Sequence, residues 1–340
     1  MNLIRLVKIA KKDMLYTFFA VIKRKRKTYI PYLLQRLSAK RMLQKNTFAD
    51  LDTVKVLNII TPDGTNQSVH PDILYVKDNM DKYIMCVNPY PYGYELLENP
   101  VLYQSSDLEN WEYVSGPIDF PETSEGRRHF SDSALAKSGE YICLYRECLY
   151  DVSPPITRIY MQKSPDFKKW HGKELLFSSP MTECDIISPS IYYDENGVMH
   201  FYSCAKINDE MKLITVKGKK VSKDNFEEIN LSWIPEHKNL WHMAAIPYKN
   251  GEIFLIVFAD DMGGSNAELY LAIHKHYDDN TIKVVKKVKI KEILDIVEVE
   301  YRASGVVLDN VLKIVASVRY TDKTWGCVLL EEKNVEDLFE

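Results

Sequence analysis

The feature of this sequence that most restricts its fold is an internal repeat. Five short segments begin with a polar residue, pass through a small or proline-containing step and continue as an apolar strand. Their spacings are 62, 56, 54 and 60 positions, and their leading residues are His70, Asp132, Ser188, His242 and Arg302. A repeat of this length indicates a fold built from similar supersecondary units.

Each repeat has the pattern of an antiparallel meander. The first strand is followed by a turn signal, such as residues 194–197 or 249–251, and then by a second apolar strand. A third strand follows, and in the first two repeats it ends in a Ser-x-Asp turn that leads to Trp111 or Trp170. Five such units predict an all-β protein with the architecture of a five-bladed β-propeller.

The fifth repeat ends after its third strand, residues 325–330, and lacks an outer strand. An unassigned apolar segment at residues 54–60 precedes the first repeat. We predict that this segment supplies the missing strand, because closing the ring with strands from both ends removes exposed sheet edges. The alternative is an open β-sandwich, which would leave the even spacing unexplained.

The first 48 residues have a different character. Residues 1–45 hold 13 Lys or Arg and a single acid, Asp13, whereas the remainder of the chain has a net charge of -16. Apolar residues recur there at helical spacing, as in Leu15, Phe18 and Ile22. The sequence thus predicts a basic amphipathic helical leader at 1–48, followed by the propeller at 49–340.

Two interpretations of the leader stay open. Residues 1–45 either bind an anionic membrane surface or pack against the propeller with their charges in solvent. Nucleic acid is not an expected partner, because no nucleic-acid fold signature is present.

The sequence also indicates the cellular compartment of the protein. The longest apolar run, residues 14–22, is about half a membrane span and is followed by five basic residues rather than a cleavage site. The six cysteines lack CxxC spacing and lie mostly in apolar runs, which favours free thiols in a reducing compartment over disulfides. We expect a cytoplasmic protein, peripheral on the inner face of the membrane if the leader attaches.

Propeller topology predicts where a binding site would form. First strands line the central channel, and the antiparallel second strands end on the same face at which the first strands begin. The five leading residues are therefore expected around one pocket, joined by groups that follow second strands and by a loop at residues 88–100. The alternative is a polar, water-filled channel that binds no ligand.

Several short motifs resemble a known family. They are His70-Pro71, Asn88-Pro89-Tyr90-Pro91, Glu98-Asn99-Pro100, Trp241-His242 and Tyr301-Arg302-Ala303-Ser304. With the Ser-x-Asp turns, they resemble the five-bladed propellers related to family 43 glycoside hydrolases, in particular a branch found with bacterial polysaccharide genes. The resemblance spans residues 60–330 and leaves the leader outside.

The resemblance implies a fold and an association with carbohydrate more than a mechanism. Family 43 enzymes invert the anomeric centre with an Asp base at the first blade start, a pKa-tuning Asp at the third and a Glu acid at the fourth. Inversion needs carboxyl groups roughly 6.5–9.5 Å apart. The matching positions here are His70, Ser188 and His242, so the standard triad is absent.

Other carboxylates are candidates for those roles. The leading hypothesis is a glycoside hydrolase-like enzyme that cleaves or transfers a linkage of a bacterial surface polysaccharide, with Asp132, Glu183 and Asp185 as catalytic candidates. The alternative is a non-catalytic glycan-binding propeller. The expected substrate-binding residues are His70, Asp72, Tyr92, Glu98, Asn99, Arg128, Glu147, Ser188, Trp241, His242, Asp260, Arg302 and Arg319.

No cofactor is expected, although two histidines with Asp132 or Asp185 leave a divalent cation in the channel as an open alternative. The converging His and Arg side chains favour a phosphate or carboxylate on the ligand. A lipid-linked polysaccharide would connect such a pocket with a membrane-binding leader.

Overall fold

The computed structural model describes residues 54–77, 82–119, 128–249, 251–261, 263–275 and 280–340. The predicted leader at 1–48 and its boundary with the propeller lie outside these residues. None of the helices in the described part of the chain is long and apolar enough to cross a lipid bilayer.

The described chain is built almost entirely from β-strands. The strands are β1 (Val54–Leu57), β2 (Ser68–Val76), β3 (Lys82–Pro89), β4 (Val101–Ser105), β5 (Glu112–Ser115), β6 (Arg128–Ser138), β7 (Glu140–Leu149), β8 (Ile156–Ser164), β9 (His171–Pro180), β10 (Cys184–Tyr193), β11 (Met199–Ile207), β12 (Glu210–Lys217), β13 (Glu227–Leu231), β14 (Asn239–Tyr248), β15 (Gly251–Ala259), β16 (Glu268–Lys275), β17 (Thr281–Lys287), β18 (Val297–Leu308), β19 (Val311–Tyr320) and β20 (Trp325–Lys333). Short helices punctuate them: α1 (Ile290–Ile293) and single 3-10 turns at Pro91–Gly93, Glu95–Leu97, Lys223–Asn225 and Val335–Phe339.

The strands form five four-stranded antiparallel blades. Blade 1 is β2–β5, blade 2 is β6–β9, blade 3 is β10–β13, blade 4 is β14–β17, and blade 5 is β18, β19, β20 and β1. The first strands form a ring in which β2 contacts β6 and β18, β10 contacts β6 and β14, and β14 contacts β18. The predicted all-β, five-bladed propeller is therefore confirmed.

The apolar core lies between neighbouring blades. The largest buried side chains of the four described clusters include Tyr145 between blades 1 and 2, Phe201 between blades 2 and 3, Phe254 between blades 3 and 4, and Tyr103 between blades 5 and 1. All six cysteines are buried and free.

Strands from both ends of the described chain close blade 5. β1 pairs antiparallel with β20, from Val54 opposite Leu330 to Leu57 opposite Cys327, which confirms the predicted closure. The strand ends at Leu57 and not at Ile60. Pairing with β20 ends there, although Ile59 still packs in the cluster between blades 5 and 1 and Ile60 is exposed.

One feature was not predicted from the repeat. The outer strands of blades 3 and 4 pair in parallel, with Asn230 opposite Thr281 and Leu231 opposite Ile282, so these two blades form one continuous sheet.

The first strand of every blade has an irregular register at its leading residue. Three of the five, His70, Asp132 and Ser188, adopt left-handed backbone conformations with φ of 55, 50 and 56°. A bulge leaves one residue out of the ladder and redirects its side chain. Left-handed backbone costs a non-glycine residue about 1–3 kcal/mol, and such strain concentrates at functional sites.

A side chain two residues beyond the leading residue links neighbouring blades. The carboxylate of Asp72 accepts a hydrogen bond from the Leu135 N–H at 2.6 Å. The Ser190 hydroxyl accepts one from the Ala245 N–H at 3.0 Å, and the Ser304 hydroxyl accepts one from the Ile73 N–H at 3.2 Å. Asp72 thus holds blade 1 to blade 2, and burial raises the pKa of its carboxyl despite Arg302 nearby.

The role of the closing strand can be tested at Leu57, which is 7% exposed within the cluster between blades 5 and 1. Leu57→Ala should lower the free energy of unfolding by about 2–5 kcal/mol, because it leaves a cavity in that cluster. Urea unfolding of the full chain measures this. Lys55→Ala, on the same strand but solvent-exposed, should have little effect; equal effects of the two variants would contradict a structural role for the buried face of β1.

Candidate functional site

The carboxylate of Asp132 lies at the centre of the channel and is surrounded by side chains from other blades. Its Oδ1 atom is 3.8 Å from His70 Nε2, 3.5 Å from His242 Nδ1 and 3.5 Å from Arg302 Nη1. All four side chains are buried. Leading residues of blades 1, 2, 4 and 5 therefore meet at one carboxylate, as the topology predicted.

The other oxygen of Asp132 connects this cluster to blade 3. Asp132 Oδ2 is 3.3 Å from Arg146 Nη1 and accepts a hydrogen bond from the Ser131 hydroxyl at 3.2 Å. Arg146 Nη2 in turn donates to both carboxylate oxygens of Asp185, at 2.7 and 2.8 Å. Arg146 is one of the groups after second strands that the topology placed at this pocket, although it was not among the expected substrate-binding residues.

Burial and charge act in opposite directions on Asp132. Burial raises the pKa of its carboxyl, but the neighbouring His70, His242, Arg302 and Arg146 outweigh that effect and hold the pKa well below its usual range. Burial lowers the pKa of His242 well below its ordinary value, so its ring is neutral near neutral pH.

Arg302 is fully buried and fastens three blades together. Its Nη2 donates to the carbonyl oxygens of Ser133 at 3.0 Å and Pro189 at 3.1 Å, while Nη1 faces Asp132. Arg302 therefore connects blade 5 to blades 2 and 3 as well as neutralising the central carboxylate.

The two histidines lie against each other and against Tyr301. His70 and His242 have ring centroids 5.1 Å apart, and His242 is 4.6 Å from the Tyr301 ring. His70 Nδ1 is 3.1 Å from Glu98 Oε2. Glu98 is buried, and burial raises the pKa of its carboxyl despite the neighbouring His70.

Four aromatic side chains, which we call the rim, lie at the end of the channel where the first strands begin: Tyr90, Trp241, Tyr301 and Trp325. The Trp241 indole N–H donates to the Tyr301 hydroxyl at 3.1 Å. The Trp325 ring centroid is 5.2 Å from that of Tyr301 and 5.5 Å from that of Tyr90. All four side chains are partly exposed.

Of the rim, only Trp241 was among the predicted binding residues. An aromatic residue directly before the leading residue in both blades 4 and 5 was the available signal for Tyr301. Trp325 is the first residue of a third strand. The other repeats have no aromatic residue at the matching position, so no signal in the sequence indicated that Trp325 belongs to the site. The guanidinium group of the predicted Arg319 lies 5.8 Å from the Trp325 ring, at the edge of the rim.

Other predicted residues have structural partners. The Ser188 hydroxyl donates to the Met243 carbonyl at 2.8 Å and accepts from the Met243 N–H at 3.2 Å, linking blades 3 and 4. The Asn99 amide donates to the Asp119 carbonyl at 2.6 Å. Glu147 is buried between Arg128 and Arg158, at 3.0 and 3.1 Å, within blade 2.

Two predicted carboxylates lie on the solvent-exposed surface. Glu183 pairs with Lys223 at 2.8 Å, and Asp260 pairs with Lys238 at 2.8 Å. The structure does not place either of them beside Asp132. The side chain of Tyr92 lies outside the described residues.

Comparison with known proteins shows the fold and no more. No family model matches the chain, and no curated protein matches it. Solved structures do match: an exo-1,5-α-L-arabinanase from a bovine ruminal metagenomic library has a TM-score of 0.52 and 13% identity, covering 78% of this chain and 92% of that chain.

Two further structures give the same result. A GH43 endo-arabinanase from Bacillus licheniformis has a TM-score of 0.53 and 11% identity, covering 78% of this chain and 93% of that one. An α-L-arabinanase from Cellvibrio cellulosa, complexed with arabinohexaose, has a TM-score of 0.52 and 12% identity, covering 78% of this chain and 91% of that one. The chain therefore has a GH43-like propeller fold.

The charge balance at the centre predicts a specific pH dependence. Asp132→Asn should lower the free energy of unfolding near pH 7 by about 3–5 kcal/mol, because it leaves buried cationic partners uncompensated. The difference from wild type should persist above about pH 4, the range in which an unfolded Asp is ionised. It should shrink at lower pH, as the carboxyl with the depressed folded-state pKa is finally protonated.

Urea unfolding at a series of pH values measures this difference. The exposed Asp295→Asn is the matched control and should show little difference from wild type at any pH. A gap between wild type and Asp132→Asn that widens on acidification would have the wrong sign for a charge-stabilised Asp132.

Proposed function

We propose that the protein binds a saccharide chain at the mouth of the channel, with the rim as the contact surface. The observation that carries this proposal is the position of four partly exposed aromatic rings around a buried charged cluster. Sugars present apolar C–H faces as well as hydroxyl edges, and binding sites of this kind combine aromatic surface with a few fixed polar groups. The arabinohexaose held by one structural neighbour agrees with a carbohydrate ligand.

The ligand we propose is a bacterial surface polysaccharide, the class that the sequence motifs favour. Arg319 is partly exposed beside Trp325 and pairs with Glu298 at 3.5 Å, so the rim has a cation that it shares with one carboxylate. An acidic sugar or a sugar phosphate, including one at a lipid linkage, would gain a charge-assisted contact there.

Recognition without cleavage is the form of this function that we favour. Each of the three carboxylates considered for catalysis has a cationic partner: Arg146 and Arg302 for Asp132, Arg146 for Asp185, and Lys223 for Glu183. A general acid works best with a pKa near the working pH, whereas the cations beside Asp132 hold the pKa of that carboxyl well below its usual range.

Cleavage or transfer of a glycosidic linkage is the second candidate, and one observation favours it. Glu98 and Asp132 lie on opposite nitrogens of His70, and their environments move their pKa values in opposite directions. Such divergence between neighbouring carboxyl groups is typical of an acid and base pair.

A glycan array followed by titration of each hit tests binding. Trp241→Ala should weaken saccharide binding about 10-fold or more, because a rim ring supplies a large apolar contact. Tyr113→Ala removes an exposed aromatic ring from the outer strand of blade 1 and should leave the affinity unchanged. Equal affinities for both variants and wild type would move the binding site away from the rim.

Product analysis of every bound glycan separates the two candidates. Binding without product over a range of pH supports recognition alone. Turnover that Asp132→Asn or Glu98→Gln abolishes, while saccharide binding survives, would instead establish the enzymatic alternative.

We also propose that residues 1–45 hold the protein on the anionic inner face of the cytoplasmic membrane, on the basis of their 13 basic residues. Each Lys or Arg near such a surface contributes about 1 kcal/mol. The full chain should sediment with acidic vesicles at low salt and be released at high salt or on neutral vesicles. Sedimentation indifferent to salt and lipid charge would refute the electrostatic attachment.

A further inference from the structure

Three side chains at the centre of the channel present the donor atoms of a metal site. His70, Asp132 and His242 each offer one ligand atom, and these atoms lie within 4.8 Å of one another. The two shorter separations, both to Asp132 Oδ1, are 3.5 and 3.8 Å. Tetrahedral coordination at about 2.0–2.2 Å places ligand atoms roughly 3.5 Å apart, so both histidine nitrogens are already near that spacing from Asp132 Oδ1, and the two rings would move towards each other on binding.

The histidine nitrogens at this point lack hydrogen-bond partners among the described residues. His70 Nε2 and both ring nitrogens of His242 are buried and unpaired. Buried polar atoms in folded proteins are nearly always hydrogen-bonded, so these three nitrogens at one location indicate a position where a ligand could bind. A bound cation would give one nitrogen of each ring a partner.

The hydrogen bond between His70 and Glu98 fixes which nitrogen of His70 is available. A buried carboxylate 3.1 Å from Nδ1 favours the hydrogen on that nitrogen. This hydrogen bond occupies Nδ1, so Nε2, which lies 3.8 Å from Asp132 Oδ1, is the ring nitrogen of His70 that can bind an ion. Metal-binding histidines commonly have a carboxylate on the second nitrogen in this way.

The surrounding charges are compatible with a cation. Three carboxyl groups, those of Asp132, Glu98 and Asp185, lie in this cluster with the two guanidinium groups of Arg146 and Arg302, and burial raises the pKa of the Glu98 carboxyl. Arg146 and the Ser131 hydroxyl bind Asp132 Oδ2, whereas Oδ1 faces both histidines and lies 3.5 Å from Arg302 Nη1. The two guanidinium groups beside Asp132 lower the affinity of this site for a cation.

We propose that His70, Asp132 and His242 bind one divalent transition-metal ion, with Glu98 orienting His70. Two imidazoles and one carboxylate favour Zn²⁺ or Co²⁺ over Ca²⁺ and Mg²⁺, which prefer oxygen ligands. Three protein ligands leave a coordination position open for water. The site is defined without reference to a saccharide, so it stands or falls separately from the proposed function.

The experiment is a titration of the chelator-treated full chain with Zn²⁺ and with Co²⁺, without saccharide. Equilibrium dialysis with elemental analysis should give one ion per chain, and Co²⁺ should give the visible absorption of a low-symmetry site. Saturating Zn²⁺ should also raise the Tm, because the ion binds only the folded chain. Ca²⁺ at the same concentration should do neither.

Variants assign the ligands. His242→Gln should abolish uptake, and Glu98→Gln should weaken it about 10- to 100-fold, as expected for a group that orients a ligand. His200→Gln is the matched control, since His200 is also buried but bonds to the Tyr192 hydroxyl. Circular dichroism establishes that each variant is folded.

Two results would overturn the proposal. One is the absence of stoichiometric Zn²⁺ uptake by folded wild type at neutral pH. The other is uptake by His242→Gln equal to that of wild type, which would place the ion elsewhere. The wild-type titration is decisive even if His242→Gln fails to fold.

Discussion

The structure depends on one buried carboxylate, Asp132, and on the charges that neutralise it. Without Arg302 and Arg146, blade 2 would place the negative charge of Asp132 at the channel axis with no arginine to compensate it. A buried ion pair contributes to stability only when its remaining hydrogen-bonding groups are satisfied. Arg302 partly satisfies this condition by donating to the backbone carbonyls of Ser133 and Pro189. The side chain that balances the charge of Asp132 therefore also connects blades 2, 3 and 5.

Ring closure makes that arrangement rigid. Pairing of β1 with β20 completes blade 5, from which Arg302 and Tyr301 project. Hydrogen bonds that Asp72, Ser190 and Ser304 accept from backbone N–H groups of the next first strand hold neighbouring blades in register. Because the rim rings come from blades 1, 4 and 5, any shift between these blades would separate them. The fold therefore positions a surface for ligand contact that no single blade could form.

The charges around Asp132 also limit the chemistry that the site can perform. The leading residues of blades 1, 3 and 4 are His70, Ser188 and His242 rather than carboxylates, and the carboxylate of blade 2 is held by two arginines. Such a carboxylate stays ionised far into the acid range, which suits the anchoring of cations better than the delivery of a proton. Recognition of a saccharide at the rim and binding of a metal ion below it are both consistent with that chemistry.

Sequence alone determined the repeat, the closing strand and the leading residues that meet in the channel, because strand spacing and polar-to-apolar patterning are local properties of the chain. The bulges at His70, Asp132 and Ser188, the outward pairing of Glu183 and Asp260, and the rim position of Trp325 were decided only by the tertiary structure. The physical reason is that a side chain's partner depends on how blades far apart in sequence approach each other. Arg302 and Asp132 lie 170 positions apart, and their contact exists only once the ring has closed.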